Sequence, residues 1–225
     1  MARSFHRGIG TSSSVTTQSN KRLQRTGISV PLIDSLPLAR LSPAAEAGVS
    51  PNENMANLPK EIIGEFIDAV VQDRKRADTL LSIHPELIDA RWIHGESLIH
   101  FLAVEGFTDG VRFLAERGAD VNTVNKFGDA PLIDIAVLGL DDAAEVLLRY
   151  GANPNASSLT RDNPLHCAVR SGNARLVSLL LGAGADGRYL TDIGESVFDA
   201  LPESANERES IVTILGEYGI TPRAG

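Results

Sequence analysis

Glycine recurs in this chain with a fixed period of 33 residues, in three interlocked series. The series are Gly95, Gly128 and Gly194 (with Arg161 at the third position), then Gly106, Gly139 and Gly172, and finally Gly118, Gly151 and Gly184. A period of this length is typical of repeat architectures, in which each repeat is one supersecondary unit that packs against its neighbours. The chain is therefore predicted to fold as a stack of similar units.

The best-defined unit predicts two short helices separated by a turn. Asn163 can cap the first helix, and Pro164 suits its first turn, where no backbone N–H is needed. Gly172 ends that helix, and Asn173 can cap a second one over about residues 174–181. The second helix is too apolar to stand alone at a surface, so neighbouring helices must cover it.

The unit before it follows the same pattern with Pro131, Gly139 and a second helix. Asp141 or Asp142 is expected to cap that second helix, and Leu147 is expected to lie in the core. Upstream, residues 61–69 and 74–81 fall at the right phase for two more helices, and residues 211–215 for a last one.

These residues resemble the ankyrin repeat. Residues 163–168, Asn-Pro-Leu-His-Cys-Ala, stand where that family has Thr-Pro-Leu-His-x-Ala, and residues 184–186 form the Gly-Ala-Asp tag that follows the second helix. The resemblance implies an all-α ankyrin-repeat solenoid of about five helix-turn-helix units over residues 58–225, with degenerate end units. Units one to five are predicted at about 58–93, 94–126, 127–159, 160–192 and 193–225. Terminal repeats are expected to be atypical because one side faces water.

Residues 1–57 differ from the rest of the chain. They carry six Lys/Arg against three Asp/Glu, whereas the remainder carries fifteen against twenty-six, within a total net charge of −8. Their Ser, Thr, Asn, Gly and Pro content predicts a disordered tail. Two alternatives stay open. Residues 1–33, which lack acids, could be an export or organelle-targeting address, or residues 1–54 could be non-native, with translation starting at Met55.

Composition and motifs argue against several kinds of function. The acidic body argues against nucleic-acid binding, and no apolar run reaches the roughly 18 residues of a membrane span. The single Cys167 suits a cytoplasmic protein.

His100 and His166 lie two repeats apart, too far to share a metal, and are expected to be structural. The G-x-G-x-x-G pattern at 182–187 follows a helix rather than a strand, so no nucleotide cofactor is predicted. No set of catalytic residues converges, so we expect no enzyme.

The resemblance implies a protein partner, bound by a monomer through a concave face of turn tips and first-helix ends. Carried over by position, the predicted partner-binding residues are Ile93, His94, Glu96, Val104, Glu105, Lys126, Phe127, Asp129, Val137, Leu138, Leu159 and Arg170. Six of them are apolar at nominally exposed positions, which is a usual mark of a binding surface. The alternative is that the tail or neighbouring turns cover this strip. Two other functions remain open: an exported effector with the tail as its address, and an inhibitor or immunity partner of an enzyme.

Overall fold

The computed structural model describes residues 58–92, 95–158 and 162–222, and the predicted tail of residues 1–57 lies outside them. The described residues form nine α-helices and no β-strand. In chain order these are α1 (Lys60–Gln72), α2 (Arg74–Ile83), α3 (Leu98–Val104), α4 (Thr108–Glu116), α5 (Pro131–Leu138), α6 (Asp141–Arg149), α7 (Pro164–Arg170), α8 (Ala174–Gly182) and α9 (Ala205–Glu217). A 3₁₀-helix, Pro85–Asp89, follows α2. The predicted all-α repeat fold is confirmed.

The helix boundaries follow local sequence signals. Asn163 accepts a hydrogen bond from the His166 N–H at 2.9 Å and so caps α7, with Pro164 as its first residue. Asn173 caps α8 in the same way, through the Leu176 N–H at 3.0 Å. Both caps were predicted. The expected cap of α6 is wrong, because that helix already includes Asp141, and its side chain instead accepts a hydrogen bond from Asn173 of the next unit.

All three glycine series adopt the left-handed backbone that the period implies. The φ angles lie between +67° and +93° at each of the nine glycines. A side chain at such a φ is sterically penalised, whereas glycine adopts it readily, so glycine is favoured wherever the chain must reverse direction sharply. Units two and three therefore turn at the same three places. Gly219 continues the last series at φ +70°, after two additional residues.

The core is built from equivalent positions of successive units. First helices α3, α5 and α7 pack in one row, and second helices α4, α6 and α8 pack in another. Leu114, Leu147 and Leu180, one period apart, are each fully buried between these rows. The prediction that Leu147 belongs to the core is confirmed.

Two asparagines tie neighbouring units together beyond the second helix. The Asn122 amide donates to the carbonyl of Gly151 at 3.0 Å, and its oxygen accepts from the Asn153 N–H at 2.8 Å. Asn155 repeats both bonds one unit later, to Gly184 and Asp186, at 3.1 and 2.7 Å. In the described part of the chain these ties join unit two to unit three and unit three to unit four.

Charged side chains join the second helices on their outer side. Arg117, at the end of α4, pairs with Asp78 on α2 at 2.7 Å, and its guanidinium lies 3.5 Å from the centre of the Phe113 ring. Arg175 on α8 reaches Asp142 and Glu145 on α6 at 3.0 and 3.3 Å. This side of the stack is thus closed by contacts between one unit and the next.

Unit five departs from the helix pair expected of each repeat. Residues 196–200 form turns where a first helix was expected, and only the second helix, α9, is present. The N–H and hydroxyl of Ser196 both donate to Asp199 at 2.8 and 2.7 Å, which resembles the start of a helix. Pro202 then disfavours helical backbone at Leu201, so the segment is too short to continue.

Candidate protein-binding surface

The turns between units share one hydrogen-bond pattern. In three of them the same hydrogen bond closes the turn: the N–H of Trp92, Asn125 and Thr191 donates to the carbonyl of Glu96, Asp129 and Glu195, at 2.8, 3.0 and 3.0 Å. The glycine inside each turn then donates back to the first residue. In the two turns whose middle residues the structure describes, the two residues before that glycine, at 126–127 and 192–193, form the turn tip. The tips and the ends of the first helices together make up what we call the turn-tip face.

Three predicted apolar contacts are exposed on this face. Phe127 is 50% exposed at a tip, and Val137 and Leu138, at the end of α5, are 46% and 48% exposed. The Phe127 N–H donates to the Asn125 side chain at 2.8 Å, and the Lys126 ammonium lies 4.9 Å from the ring centre. Phe127 is therefore held at the tip through its backbone while its ring stays accessible.

The other predicted contacts divide into three groups. Glu96, Val104 and Glu105 are partly exposed, while Lys126 and Arg170 are exposed. Ile93, His94 and Leu159 lie outside the described residues. Asp129 differs from the expected exposure, since it is 1% exposed and accepts a hydrogen bond from the Ser158 hydroxyl. Its side chain stabilises the turn. Asp129 is therefore less suited to contact a partner than the exposed Lys126 and Phe127.

Sequence reasoning missed three exposed apolar side chains near the same face. Ile193 is 80% exposed, Val124 is 50% exposed and Tyr189 is 37% exposed. Ile193 occupies the position of Phe127 two periods later, at the tip closed by Thr191 and Glu195. The period itself could have revealed Ile193, but unit five matched the repeat too poorly for its turn to be weighed.

The two repeat histidines are buried and differ in their partners. His100 Nε2 lies 2.8 Å from the Asp134 carboxylate of the next unit, which also accepts from the Asn125 amide at 3.3 Å. His166 Nδ1 lies 3.0 Å from the Asn163 side chain, and its ring meets the edge of Tyr189. Burial lowers the pKa of His166, opposed by the nearby Asp162 carboxylate. Both rings thus connect turns and helices, as expected of structural residues.

Acidic residues recur along the turn-tip face with the repeat period. Glu96, Asp129, Asp162 and Glu195 each directly precede the cap position of a first helix or its degenerate equivalent. Burial raises the pKa of Glu96, and the neighbouring Asp134 and Glu105 raise it further, while His100 acts in the opposite direction. The charged form of the Glu96 carboxyl is therefore disfavoured at this position.

A groove of about 830 Å³ opens on this face and extends from unit three across unit four to the turn that begins unit five. One wall carries Val137, Arg170 and Ser171 from the first-helix ends, and the other carries Tyr189, Asp192 and Ile193 from the turn. The two kinds of element that form the turn-tip face therefore converge on one concavity.

The described residues show neither a membrane-spanning helix nor a metal site. No helix among them is both long and apolar enough to cross a membrane. No three His, Cys, Asp or Glu side chains in the same ranges come together as a group that could hold a metal ion.

Comparison with known proteins identifies the repeat. A family model of ankyrin repeats in three copies matches residues 99–191. Cyclin-dependent kinase 4 inhibitor B is similar, with 36% identity over 45% of this chain and 82% of the bovine protein, and 43% identity over 37% of this chain and 64% of the rat protein. The bovine inactive serine/threonine-protein kinase TEX14 is 32% identical over 52% of this chain. The chain spans only 8% of that relative's length, and less than two thirds of the rat inhibitor.

Proposed function

The chain belongs to the ankyrin-repeat family, and from this premise we propose that it binds another protein through its turn-tip face. The exposure of Phe127, Val137 and Leu138 on this face is the observation that supports the proposal most strongly. These side chains lie outside a core that is already filled by other residues of the same units. Exposed apolar side chains rimmed by charge favour a protein partner over a small molecule.

The rest of the molecule supports a binding module rather than an enzyme. Ankyrin repeats are generally non-catalytic binding modules, and the relatives are named as kinase inhibitors and an inactive kinase. The buried histidines and Asp129 are engaged in contacts that hold turns to helices. We propose a monomer that uses neither a metal nor a cofactor and works in the cytoplasm, because its single cysteine suits a reducing compartment.

A pull-down from the native lysate with the full chain tests this proposal. The bait is compared with Phe127→Ala, which removes an exposed ring, and with Tyr218→Ala, a matched control that is 46% exposed just after α9. We expect one protein to be retained by the natural chain and by Tyr218→Ala, and to be lost by Phe127→Ala. Equal recovery by all three baits would place the binding surface elsewhere. Severe unfolding of Phe127→Ala would show that this residue belongs to the core.

A second candidate function is regulation of a partner enzyme. Its support is the similarity to cyclin-dependent kinase 4 inhibitor B, whose printed name describes an inhibitor. If the retained protein is an enzyme, its activity is measured while the natural chain or Phe127→Ala is added. Inhibition by the natural chain at near-stoichiometric amounts, and not by the variant, supports regulation. Unchanged activity despite binding leaves the chain as an adaptor.

A further inference from the structure

The groove that extends from unit three to the start of unit five combines exposed apolar side chains with negative charge. Ile193, 80% exposed, and Tyr189, 37% exposed, stand on one wall, with Val137 on the other. The favourable free energy of apolar burial scales with the area removed from water. Among the described apolar side chains of the groove, Ile193 would therefore contribute the most binding free energy when a partner covers it.

The charge of the same groove is negative. Its described lining includes Asp162, Asp192 and Glu195 against a single cation, Arg170. Arg170 is already paired with Asp162 at 2.8 Å and lies 3.8 Å from Glu195. Asp192, at the tip beside Ile193, makes no ion pair within the described ranges. Among the described lining residues, three carboxylates and one guanidinium leave a net charge of −2 beside the exposed apolar side chains.

We propose that this groove binds a segment of the protein partner in which a Lys or Arg directly neighbours a large apolar residue. The proposal rests on the proposed function and names the chemistry of its partner. The apolar residue covers Ile193 and packs beside Val137 and Tyr189, while the cation pairs with Asp192. An acidic segment is disfavoured because it meets the carboxylates of the groove, and a purely apolar one leaves Asp192 unpaired at a new interface.

The groove and the tip at Phe127 differ in the charge that lies beside their apolar surface. Lys126 lies over the Phe127 ring, so that tip presents an apolar surface beside a positive charge. The tip at Ile193 presents an apolar surface beside a negative charge. A partner that spans both tips is thereby oriented, with its basic segment at unit five.

Selection of a random-peptide phage library on the full chain tests the proposal without a known partner. Parallel selections use Asp192→Asn and Ile193→Ser, both at exposed turn positions, with Glu209→Gln and Val212→Ser on α9 as matched charge and apolar controls. Far-UV circular dichroism establishes that each variant is folded. We expect peptides enriched on the natural chain to place Lys or Arg beside a large apolar residue.

Affinities of one enriched peptide give the quantitative result. We expect Asp192→Asn to weaken binding about fivefold, as loss of an exposed ion pair does. Ile193→Ser is expected to weaken it roughly tenfold through lost apolar burial. Raising the salt concentration should weaken binding to the natural chain more than binding to Asp192→Asn. The two α9 controls should bind as the natural chain does.

Four results would overturn the proposal. Enriched peptides that are acidic or lack a cation contradict its chemistry. Peptides that bind both groove variants normally but are lost on Phe127→Ala place the site at the other tip, which leaves the proposed function standing. A dimer of the natural chain that Ile193→Ser dissociates assigns the groove to a second copy. Failure to enrich any peptide also overturns the groove proposal, and the lysate experiment then decides the proposed function separately.

Discussion

The two sides of the repeat stack differ in how their polar groups are used. On the outer side of the second helices, charged residues pair across units, as Arg117 does with Asp78 and Arg175 does with Asp142. On the turn-tip face, Phe127, Val137 and Ile193 stay exposed, and the half-buried Glu96 lies near other carboxylates. The named pairs on the outer side neutralise one another's charge, whereas the turn-tip face leaves apolar side chains exposed and the Glu96 carboxyl in a place that disfavours its charged form. This contrast supports the proposal that the turn-tip face binds the partner.

The largest effect expected on either side comes from the core between the helix rows. Leu147→Ala removes a fully buried side chain and is expected to cost about 2–5 kcal/mol of unfolding free energy by leaving a cavity. Urea denaturation of the full chain measures it. Phe127→Ala on the turn-tip face is the control, and its cost should stay below about 0.5 kcal/mol. A loss below about 1 kcal/mol for Leu147→Ala would contradict the assigned register.

An intermediate effect is expected on the outer side, at Arg117. Its guanidinium both lies over the Phe113 ring and pairs with Asp78, so Arg117→Ala should cost about 1 kcal/mol. Arg149→Ala is the matched control, because Arg149 pairs only with Glu145 along one exposed helix, for about 0.3–0.5 kcal/mol. Equal losses for the two variants in thermal melts would show that the contact between units adds nothing.

The smallest change in stability is expected at Glu96 on the turn-tip face, and it is a gain rather than a loss. The pKa of Glu96 is raised by burial and by Asp134 and Glu105, so the native state holds that proton more tightly than the unfolded chain. The stability supplied by the protonated form is therefore lost as pH rises from about 4.5 through the folded-state pKa. Glu96→Gln should unfold at slightly higher urea than the natural chain at pH 7, with an unchanged slope. That gain should vanish in acid.

The converse result would be informative for the same comparison. If Glu96→Gln is less stable than the natural chain at pH 7, the Glu96 carboxylate stabilises the fold. The turn-tip face then does not give up stability at this position. Glu217→Gln, an exposed change at the end of α9, controls for the general effect of removing one negative charge. It should leave the difference in stability between pH 4 and pH 7 close to that of the natural chain.

Most of the fold could be predicted because its determinants are local and repeated. Glycine at three fixed places, Asn163 and Asn173 as caps, and Pro164 in a first turn each specify a boundary through backbone geometry alone. Repetition makes the interpretation safer, since an error in one unit is corrected by its equivalents in the others. The resemblance to the ankyrin repeat was clearest in unit four, and the family model that matches residues 99–191 confirms the family.

The parts that could not be predicted depend on contacts between distant residues. Asp129 was expected to be exposed, but the Ser158 hydroxyl from the next turn draws it inward. The missing first helix of unit five follows from Pro202 acting on a segment whose sequence still resembles a helix start. Ile193 was overlooked because binding positions were carried over only where the repeat matched well. Exposure is a property of the assembled stack, which no single unit encodes.

The asparagine ties at Asn122 and Asn155 have a mechanical consequence. The equivalent positions at the two ends are Asp89 and Arg188, whose side chains make no such bond in the ranges that the structure describes. Pulled from its ends, the array would therefore lose units one and five first, while units two to four resist as a single block. The proposed peptide groove extends from unit three across the weaker joint between units four and five. A partner bound there would hold units four and five together. The force needed to unfold the array would then rise with the fraction of grooves that are occupied.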